Sequence, residues 1–342
     1  MAQTKNTRID TLDEALGSDL TAAEAMAVGE LEEAGQMLTA IRAEISNVIF
    51  GQEEVINQTL ITLIAGGHGL LVGVPGLAKT LLVETLATVM GLSEKRIQFT
   101  PDLLPADILG SEVLEQDEAG KRSFRFIKGP VFCQLLMADE INRASPRTQS
   151  ALLQAMQEKE VTVAGVPHKL PDPFHVLATQ NPIEQEGTYP LPEAQLDRFF
   201  MQINVDYPDE AAEREVLLRT TGPEETSAGR IIDGEKLKGL QRLVRRIPVG
   251  ESVVSAILKL VRSARPEDAA SDIIWGPGPR GAQCLMLAAR ARALLDGRLS
   301  PSIDDVVALA GPVLRHRMAL GFAARADGAN VDDVIQRLAS AL

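Results

Sequence analysis

The chain has 342 residues, with 47 acidic and 34 basic side chains and a net charge of −13. A content of 45% hydrophobic and 24% charged residues is that of a globular protein and excludes a disordered chain. So acidic a surface repels phosphate backbones, which argues against non-specific nucleic-acid binding. Cys133 and Cys284 lie in apolar runs and are predicted to be buried free thiols, as fits a reducing cytoplasm.

The N-terminus lacks the basic-then-apolar pattern of a secretory signal, so we predict no leader. The run from Val55 to Ala78 contains no charged residue and is long enough to span a bilayer. It also contains five glycines and Pro75, so we interpret it as a helix, a loop and a buried strand. We therefore expect a cytoplasmic protein without membrane insertion.

Three parts follow one another along the chain. Residues 1–30 are predicted to form a helical extension, mobile at its start. Residues 31–208 alternate helical patterns with short apolar strands, which predicts a parallel sheet covered on both faces. Residues 209–342 show helical periodicity only. The fold class is therefore an α/β core followed by an all-α domain, with five strands predicted at 68–74, 97–100, 132–139, 174–180 and 200–205.

Two β-hairpins are predicted as insertions into the core, at about 110–128 and 160–171. In each, two β-prone runs flank turn residues, such as Asp117–Gly120 in the first hairpin. Insertions into a compact domain often carry function. The first hairpin also has the basic cluster Lys121, Arg122, Arg125 and Lys128.

A glycine-containing loop, GVPGLAKT at 73–80, lies between a predicted strand and a predicted helix, as a Walker A loop requires. Its backbone N–H groups would hold phosphates, with Lys79 on the β- and γ-phosphates and the Thr80 hydroxyl on Mg²⁺. Ala78 stands where the general pattern has glycine, and an alanine fits there if its φ is negative. A chance strand–turn–helix is the alternative. The predicted nucleotide-binding residues of this loop are Gly73, Pro75, Gly76, Leu77, Ala78, Lys79, Thr80 and Leu81.

An acid pair, Asp139 and Glu140, follows four apolar residues at the end of a predicted strand, where open α/β sheets bind ligands. Asp139 is predicted to hold Mg²⁺, and Glu140 to orient or deprotonate the attacking water. The next strand ends at Asn181, whose amide could position the same water. A turn-forming asparagine before Pro182 is the alternative interpretation.

Three arginines are candidates for stabilising the charge that develops in phosphoryl transfer, in their own chain or in a neighbour: Arg143, Arg198 and Arg280. Arg198 immediately precedes the fifth strand, and Arg280 begins a helix after a Gly/Pro loop. Each alone is more often a surface arginine.

Together these residues resemble the MoxR family of AAA+ ATPases, over roughly residues 30–340. Ala78 is the residue that this family usually carries, and the implied fold is an AAA+ P-loop NTPase core with a helical lid. The resemblance rests on GVPGLAKT at 73–80, QFTPDLLPADILG at 98–110, GPVF at 129–132, ADEINRASPRTQSALLQAMQE at 138–158, ATQNP at 178–182, GTYPLPEAQLDRF at 187–199 and GPGPRG at 276–281.

The resemblance implies roles that the residues alone do not give. Asn181 would be sensor 1, Arg198 the arginine finger reaching a neighbouring site, and Arg280 sensor 2 in the lid. Phe50 and Gly51 would lie beside the adenine. Both hairpins would face a central pore or a partner. Family members form hexameric rings and act as chaperone-like maturation factors, often with a partner that has a von Willebrand factor A domain.

The leading hypothesis is an Mg²⁺-dependent, ATP-driven remodeller of protein complexes. A motor of a chelatase-like metal or cofactor insertion complex is the first alternative. A DNA motor is the second, and strong single-strand binding that depends on the basic cluster would favour it. An ATP-binding switch with little turnover is the third, against which intact Lys79, Asp139 and Glu140 argue.

Overall fold

The computed structural model describes residues 28–116, 122–184, 187–222, 227–266 and 273–342. Most of the predicted N-terminal extension lies outside these ranges, as do the predicted turn at 117–120 and Lys121. The first helix, α1, covers residues 28–46 of the described chain.

The elements of the α/β core follow α1 in the alternating order that the sequence predicts. They are α2 (Glu53–Ile64), β1 (Gly69–Val72), α3 (Lys79–Val89), β2 (Glu94–Gln98), α4 (Pro105–Leu109), β3 (Gly110–Gln116), β4 (Arg122–Lys128), β5 (Leu135–Asp139), α5 (Pro146–Glu158), β6 (Glu160–Val163), β7 (Val166–Lys169), β8 (His175–Gln180), α6 (Glu193–Leu196) and β9 (Met201–Asn204). A 3₁₀ turn at Ile141–Arg143 separates β5 from α5.

The main sheet has the five predicted strands, all parallel, in the order β2-β5-β8-β1-β9. The apolar residues predict that the second strand starts at Ile97, whereas in the structure it starts at Glu94. Because β2 is an edge strand, its charged residues Lys95 and Arg96 can remain exposed, so apolar periodicity does not mark its beginning.

Both faces of the sheet are covered, as predicted. Successive side chains of a strand point to opposite faces. Leu135 and Met137 of β5 therefore join one buried core with α2, α3 and the C-terminal helices, whereas Leu136 and Ala138 join a second core with α5. The carboxyl ends of the central strands remain open to solvent and bear the predicted site residues.

The two predicted hairpins are present as antiparallel pairs, β3–β4 and β6–β7. They meet through Phe126 and His168, whose rings stack with centroids 4.1 Å apart. Further along the first hairpin, Leu114 and Phe124 are cross-strand neighbours and are 54% and 70% exposed. This hairpin therefore presents an apolar pair to solvent.

The C-terminal region is helical, as its periodicity predicts. Its helices are α7 (Glu210–Thr220), α8 (Gly234–Arg246), α9 (Glu251–Ser263), α10 (Pro279–Leu295), α11 (Ile303–Leu314), α12 (Phe322–Ala326) and α13 (Val331–Ala339). A short antiparallel pair, β10 (Ile273–Trp275) and β11 (Ala319–Leu320), adds a strand contact that helical periodicity does not indicate.

The uncharged run from Val55 to Ala78 forms most of α2, then β1 and the loop before α3. Across the described ranges, no helix has both the length and the apolar character needed to cross a bilayer.

Both cysteines are free thiols, as predicted. Cys133 is buried, whereas Cys284 is only partly so. Burial raises the pKa of the Cys133 thiol to about 12, and burial also raises the pKa of Cys284.

Two buried histidines join the base of the sheet to the C-terminal helices. The Val176 N–H donates to Nδ1 of His68 at 3.0 Å. Nδ1 of His175 lies 2.8 Å from the Gly67 carbonyl oxygen, and its Nε2 lies 3.0 Å from the side-chain amide of Gln241 on α8. Each ring therefore has an acceptor nitrogen, so both are neutral. Burial lowers the pKa of His68 to about 3 and that of His175 to about 4.

We expect the free energy of unfolding to fall as the pH drops from 6.5 towards 4. In this range the two histidines bind protons in the unfolded chain, whereas the buried rings, with their lowered pKa values, stay neutral. Each histidine contributes a slope of at most about 1.4 kcal/mol per pH unit. Urea titrations across this window measure the slope. His175→Gln should flatten the slope, and equal slopes for wild type and His175→Gln would contradict this assignment.

Candidate active site

The carboxyl ends of β1, β5 and β8 meet at a cavity of about 490 Å³. The loop residues, the acid pair and the asparagine that the sequence singled out all line it. The lining residues are Gly73, Pro75, Gly76, Leu77, Ala78, Lys79, Thr80, Leu81, Arg96, Gln98, Asp139, Glu140, Thr179, Gln180 and Asn181.

The loop between β1 and α3 has the features of an anion site. The helix α3 starts at Lys79, so the backbone N–H groups of Lys79, Thr80 and Leu81 have no acceptor within the helix. The Lys79 ammonium donates to the carbonyl oxygens of Gly73 at 2.8 Å and Val74 at 2.5 Å. Partial burial lowers the pKa of Lys79, while the charges of Asp139 and Glu140 oppose that shift. Free amides at a helix N-terminus, with a lysine beside them, suit a phosphate chain.

The condition that Ala78 have a negative φ is not met, since its φ is +55°. Ala78 is the N-cap of α3 and adopts the left-handed conformation that turns the loop into the helix. For a residue with a Cβ this conformation costs about 1–2 kcal/mol. The loop therefore keeps the geometry that a glycine would give, at the cost of local strain.

Asp139 is held by two donors. Its Oδ1 accepts a hydrogen bond of 2.6 Å from the Thr179 hydroxyl, and its Oδ2 pairs with the Arg96 guanidinium at 2.5 Å. The same Thr179 oxygen accepts from the Glu140 N–H at 2.8 Å. Thr179 on β8 therefore fixes both members of the acid pair.

Glu140 is the second non-glycine residue of the site with a left-handed backbone, with φ +55°. Its Oε2 accepts from the Gln98 amide at 2.8 Å and from Arg143 at 3.2 Å. Arg143 also pairs with Glu184 at 3.4 Å, so it contacts acids of its own chain. Backbone strain of this kind is frequent at functional sites.

Motif reasoning missed four lining residues: Arg96, Gln98, Thr179 and Gln180. Arg96 and Gln98 lie on the edge strand β2, whose register places Gln98 opposite Asp139. Thr179 directly precedes the Gln180–Asn181 pair, so its position at a strand end was the available signal.

Thr80 and Asp139 line the same cavity and offer a hydroxyl and a carboxylate oxygen. Mg²⁺ prefers such hard oxygen ligands and usually keeps several waters. The residues present therefore fit a magnesium ion. Arg96 occupies one carboxylate oxygen of Asp139 and would compete with the ion for it.

Asn181 lines the cavity and also stabilises the loop after β8. Its Oδ1 accepts from the Ile183 N–H at 3.1 Å, and its Nδ2 lies 3.4 Å from Glu184. The turn-forming interpretation therefore has a structural basis, and the sensor role stays a prediction.

Phe50 and Gly51 lie outside this cavity but are connected to it. The Gln52 side-chain amide donates to the Leu77 carbonyl of the loop at 3.1 Å. Gly51 has φ +66°, and a Cβ there would come within 2.1 Å of the Ala212 Cβ on α7. Gly51 also lines an adjacent cavity of about 460 Å³ between α2 and the C-terminal helices. The Phe50 ring lies 5.4 Å from the Arg219 guanidinium. The predicted contact with adenine stays a prediction.

Arg198 and Arg280 do not line the cavity of their own chain. Arg280 instead lies 3.6 Å from the Asp197 carboxylate, one residue before Arg198. Arg198 forms no ion pair with any residue that the structure describes. The two predicted arginines therefore belong to one surface, separate from the phosphate loop.

The strand order places β8, which ends near Asn181, between the phosphate-loop strand β1 and the acid-pair strand β5. A strand–loop–helix with free amides and a lysine, facing a carboxylate pair, defines a P-loop nucleoside triphosphatase.

Comparisons with known proteins identify the family. Residues 68–201 match the model of the ATPase family associated with various cellular activities (AAA), and residues 265–338 match that of the AAA lid domain. Chaperone MoxR1 of Mycobacterium tuberculosis is 43% identical, covering 86% of this chain and 79% of its own. Protein MoxR of Paracoccus denitrificans is 33% identical, covering 81% and 87%. A crystal structure from Cytophaga hutchinsonii, assigned as an ATPase, matches with a TM-score of 0.85 and 39% identity over 95% of this chain and 98% of that one. The chain belongs to the MoxR family of AAA+ ATPases.

Proposed function

We propose that this protein binds ATP with Mg²⁺ and hydrolyses it to ADP and phosphate. The observation that carries the proposal is that Lys79, Thr80, Asp139 and Glu140 line a single cavity at the carboxyl edge of the sheet. A loop that only binds phosphate would need no second acid beside the metal ligand. Glu140 supplies that acid.

In the proposed reaction the amides of residues 76–81 bind the phosphate chain, and Lys79 turns from its own loop carbonyls to the β- and γ-phosphates. Glu140, held by Gln98 and by its backbone bond to Thr179, orients a water towards the γ-phosphate and accepts its proton. Mg²⁺ held by Thr80 and Asp139 would neutralise charge on the phosphate oxygens. Asn181 helps to position the same water.

We further propose that the chain assembles into a ring, a hexamer as in its family, with each ATP site shared between two subunits. Arg198 supports this, because it pairs with no acid in the described ranges and lies outside its own cavity. In the ring, Arg198 reaches the γ-phosphate of the neighbouring subunit as an arginine finger, and Arg280 acts from the same surface.

Mixing two inactive variants tests the shared site. Glu140→Gln and Arg198→Ala should each lose ATP hydrolysis alone. If subunits exchange freely, about a quarter of the interfaces in an equal mixture combine an intact Glu140 with an intact Arg198. ATPase activity, measured against the mixing ratio, should therefore reappear and peak near equal amounts.

Two results would contradict the shared site. The first is full activity of Arg198→Ala alone. The second is an inactive mixture in which labelled subunits are shown to exchange. Arg337→Ala, on the C-terminal helix α13 away from the cavity, is the matched control and should hydrolyse ATP normally.

The biological role we propose is ATP-driven remodelling of protein complexes in the cytoplasm, consistent with a relative named as a chaperone. We also propose a protein client and a partner with a von Willebrand factor A domain, as the family resemblance implies. The exposed pair Leu114 and Phe124 makes the first hairpin a suitable contact surface for protein. A chelatase-like insertion complex would use the same ATP cycle on a different client.

The basic cluster of the first hairpin gives the DNA-motor alternative little support. Within its described part, Arg125 pairs with Glu115 at 2.8 Å, and Lys128 lies 5.3 Å from the Phe132 ring. Two of the cationic side chains are therefore already engaged by the protein itself.

A further inference from the structure

A fully buried arginine connects the C-terminal helices to the segment that contains Arg198. Arg317 follows α11 and is 0% exposed. Its Nε donates to the Asp197 carboxylate at 2.8 Å. Its Nη2 donates to the carbonyl oxygens of Phe199 at 2.6 Å and Asp197 at 3.2 Å, and its Nη1 reaches that of Phe200 at 3.3 Å. Four of its contacts thus fall within residues 197–200.

Burying the Arg317 guanidinium costs free energy, so the contacts that compensate for this cost show what the side chain holds in place. A buried guanidinium needs a charged partner and hydrogen-bond acceptors for its five N–H donors. Three of the acceptors are backbone carbonyls on the two sides of Arg198. The other neutral acceptors belong to the C-terminal region: the Val313 carbonyl, the His316 ring and the Cys284 sulfur. The contacts fix the path of the main chain at the residue whose side chain has no partner in the described structure.

A second contact from the C-terminal helices reaches the same segment. The carboxylate of Asp197 takes Arg317 on Oδ1 and Arg280, at the start of α10, on Oδ2. The ring of His316 lies 3.1 Å from the Phe199 carbonyl. Burial, and then the charge of Arg317, hold the pKa of His316 well below its ordinary value, so the ring adds no second positive charge.

We propose that Arg317 is a positioning residue for the Arg198 finger. It holds the main chain on both sides of Arg198, so that the guanidinium is presented to the next subunit, and it makes that presentation depend on the position of the C-terminal helices. The proposal rests on the shared ATP site proposed above. It assigns Arg317 no contact with nucleotide.

Arg317→Lys tests the proposal, because lysine keeps the charge near Asp197 but has a single donor group that cannot reach all three carbonyls. Misplacing a transition-state contact by about 1 Å costs about 10²-fold in rate, so kcat should fall by about that factor. KM for ATP should stay within about twofold, because the finger acts in the transition state. Arg298→Lys, at the ion pair with buried Asp305 elsewhere among these helices, is the matched control and should keep both constants.

A mixing experiment separates positioning from a general structural defect. Arg317→Lys subunits keep their own phosphate loop and acid pair, so mixing them with Glu140→Gln subunits, which keep a well-placed finger, should restore ATPase activity. Mixing them with Arg198→Ala subunits should not, since both lack a working finger. Circular dichroism and thermal melting check that the variant is folded; if it is not, Asp197→Asn, which keeps the arginine, replaces it in the same scheme.

The outcomes distinguish a failure of the positioning role of Arg317 from a failure of the shared ATP site. If Arg198→Ala and Glu140→Gln restore each other but folded Arg317→Lys is not restored by Glu140→Gln, Arg317 does not act through the finger. If Arg317→Lys has wild-type kcat, it has no positioning role. If Arg198→Ala and Glu140→Gln fail to restore each other despite subunit exchange, the shared site itself fails.

Discussion

Glu140→Gln is expected to bind ATP with near wild-type affinity and to lose hydrolysis by about 10²- to 10⁴-fold, the usual contribution of a general base. Glutamine keeps the size of the side chain and can still accept a hydrogen bond from Gln98, so the cavity should keep its shape. It cannot take a proton from water. Single-turnover hydrolysis and equilibrium binding of ATP, measured separately, check the two halves of this expectation.

Glu158→Gln is the matched control for that experiment. Glu158 ends α5 and is exposed, and its carboxylate accepts from the side-chain amide of Gln154, one turn earlier. It should hydrolyse ATP at the wild-type rate. If Glu140→Gln also turned over normally, Glu140 would not be the residue that activates water, and the remaining acid of the cavity would need to be reconsidered.

Lys79→Ala is expected to weaken ATP binding by about 10- to 10²-fold, since a hydrogen bond to a charged group contributes about 1.5–3 kcal/mol. The loop carbonyls of Gly73 and Val74 lose their donor at the same time. Turnover should be lost with binding, because the lysine contacts the phosphates in both the ground and the transition state. Fluorescent-nucleotide titration measures the affinity.

Lys236→Ala, an exposed lysine in the first turn of α8, serves as the comparison and should bind ATP normally. An unchanged affinity in Lys79→Ala would contradict the phosphate-loop assignment. Thermal melting without nucleotide separates loss of binding from loss of folding.

The sequence was sufficient for the parts of the site that are contiguous. The loop at 73–80 and the acid pair at 139–140 each have a local pattern, and short apolar strands between helices place them at the same edge of a parallel sheet. The five strands and six of the C-terminal helices follow from periodicity for the same reason. The apolar pattern that marks one buried face, or both, lies within each element itself.

What could not be predicted depends on register and on distant partners. The pairing of Arg96 with Asp139 needs strand β2 to lie beside β5 in one specific register, and its charged residues hide the start of that strand. The left-handed φ of Ala78 is imposed by the loop-to-helix turn rather than by the preference of alanine. Arg317 contacts a segment about 120 residues earlier in the chain, and no local pattern distinguishes it from the arginine two residues before it.

The state of the two native thiols makes the chain convenient to label. Cys133 is packed in the core, and both cysteines have pKa values raised by burial, so at neutral pH neither offers the thiolate that alkylating dyes need. Phe124 is 70% exposed on the first hairpin, so Phe124→Cys would present an accessible thiol beside two native thiols that react little. Donor- and acceptor-labelled subunits could then report exchange by energy transfer without removing either native cysteine.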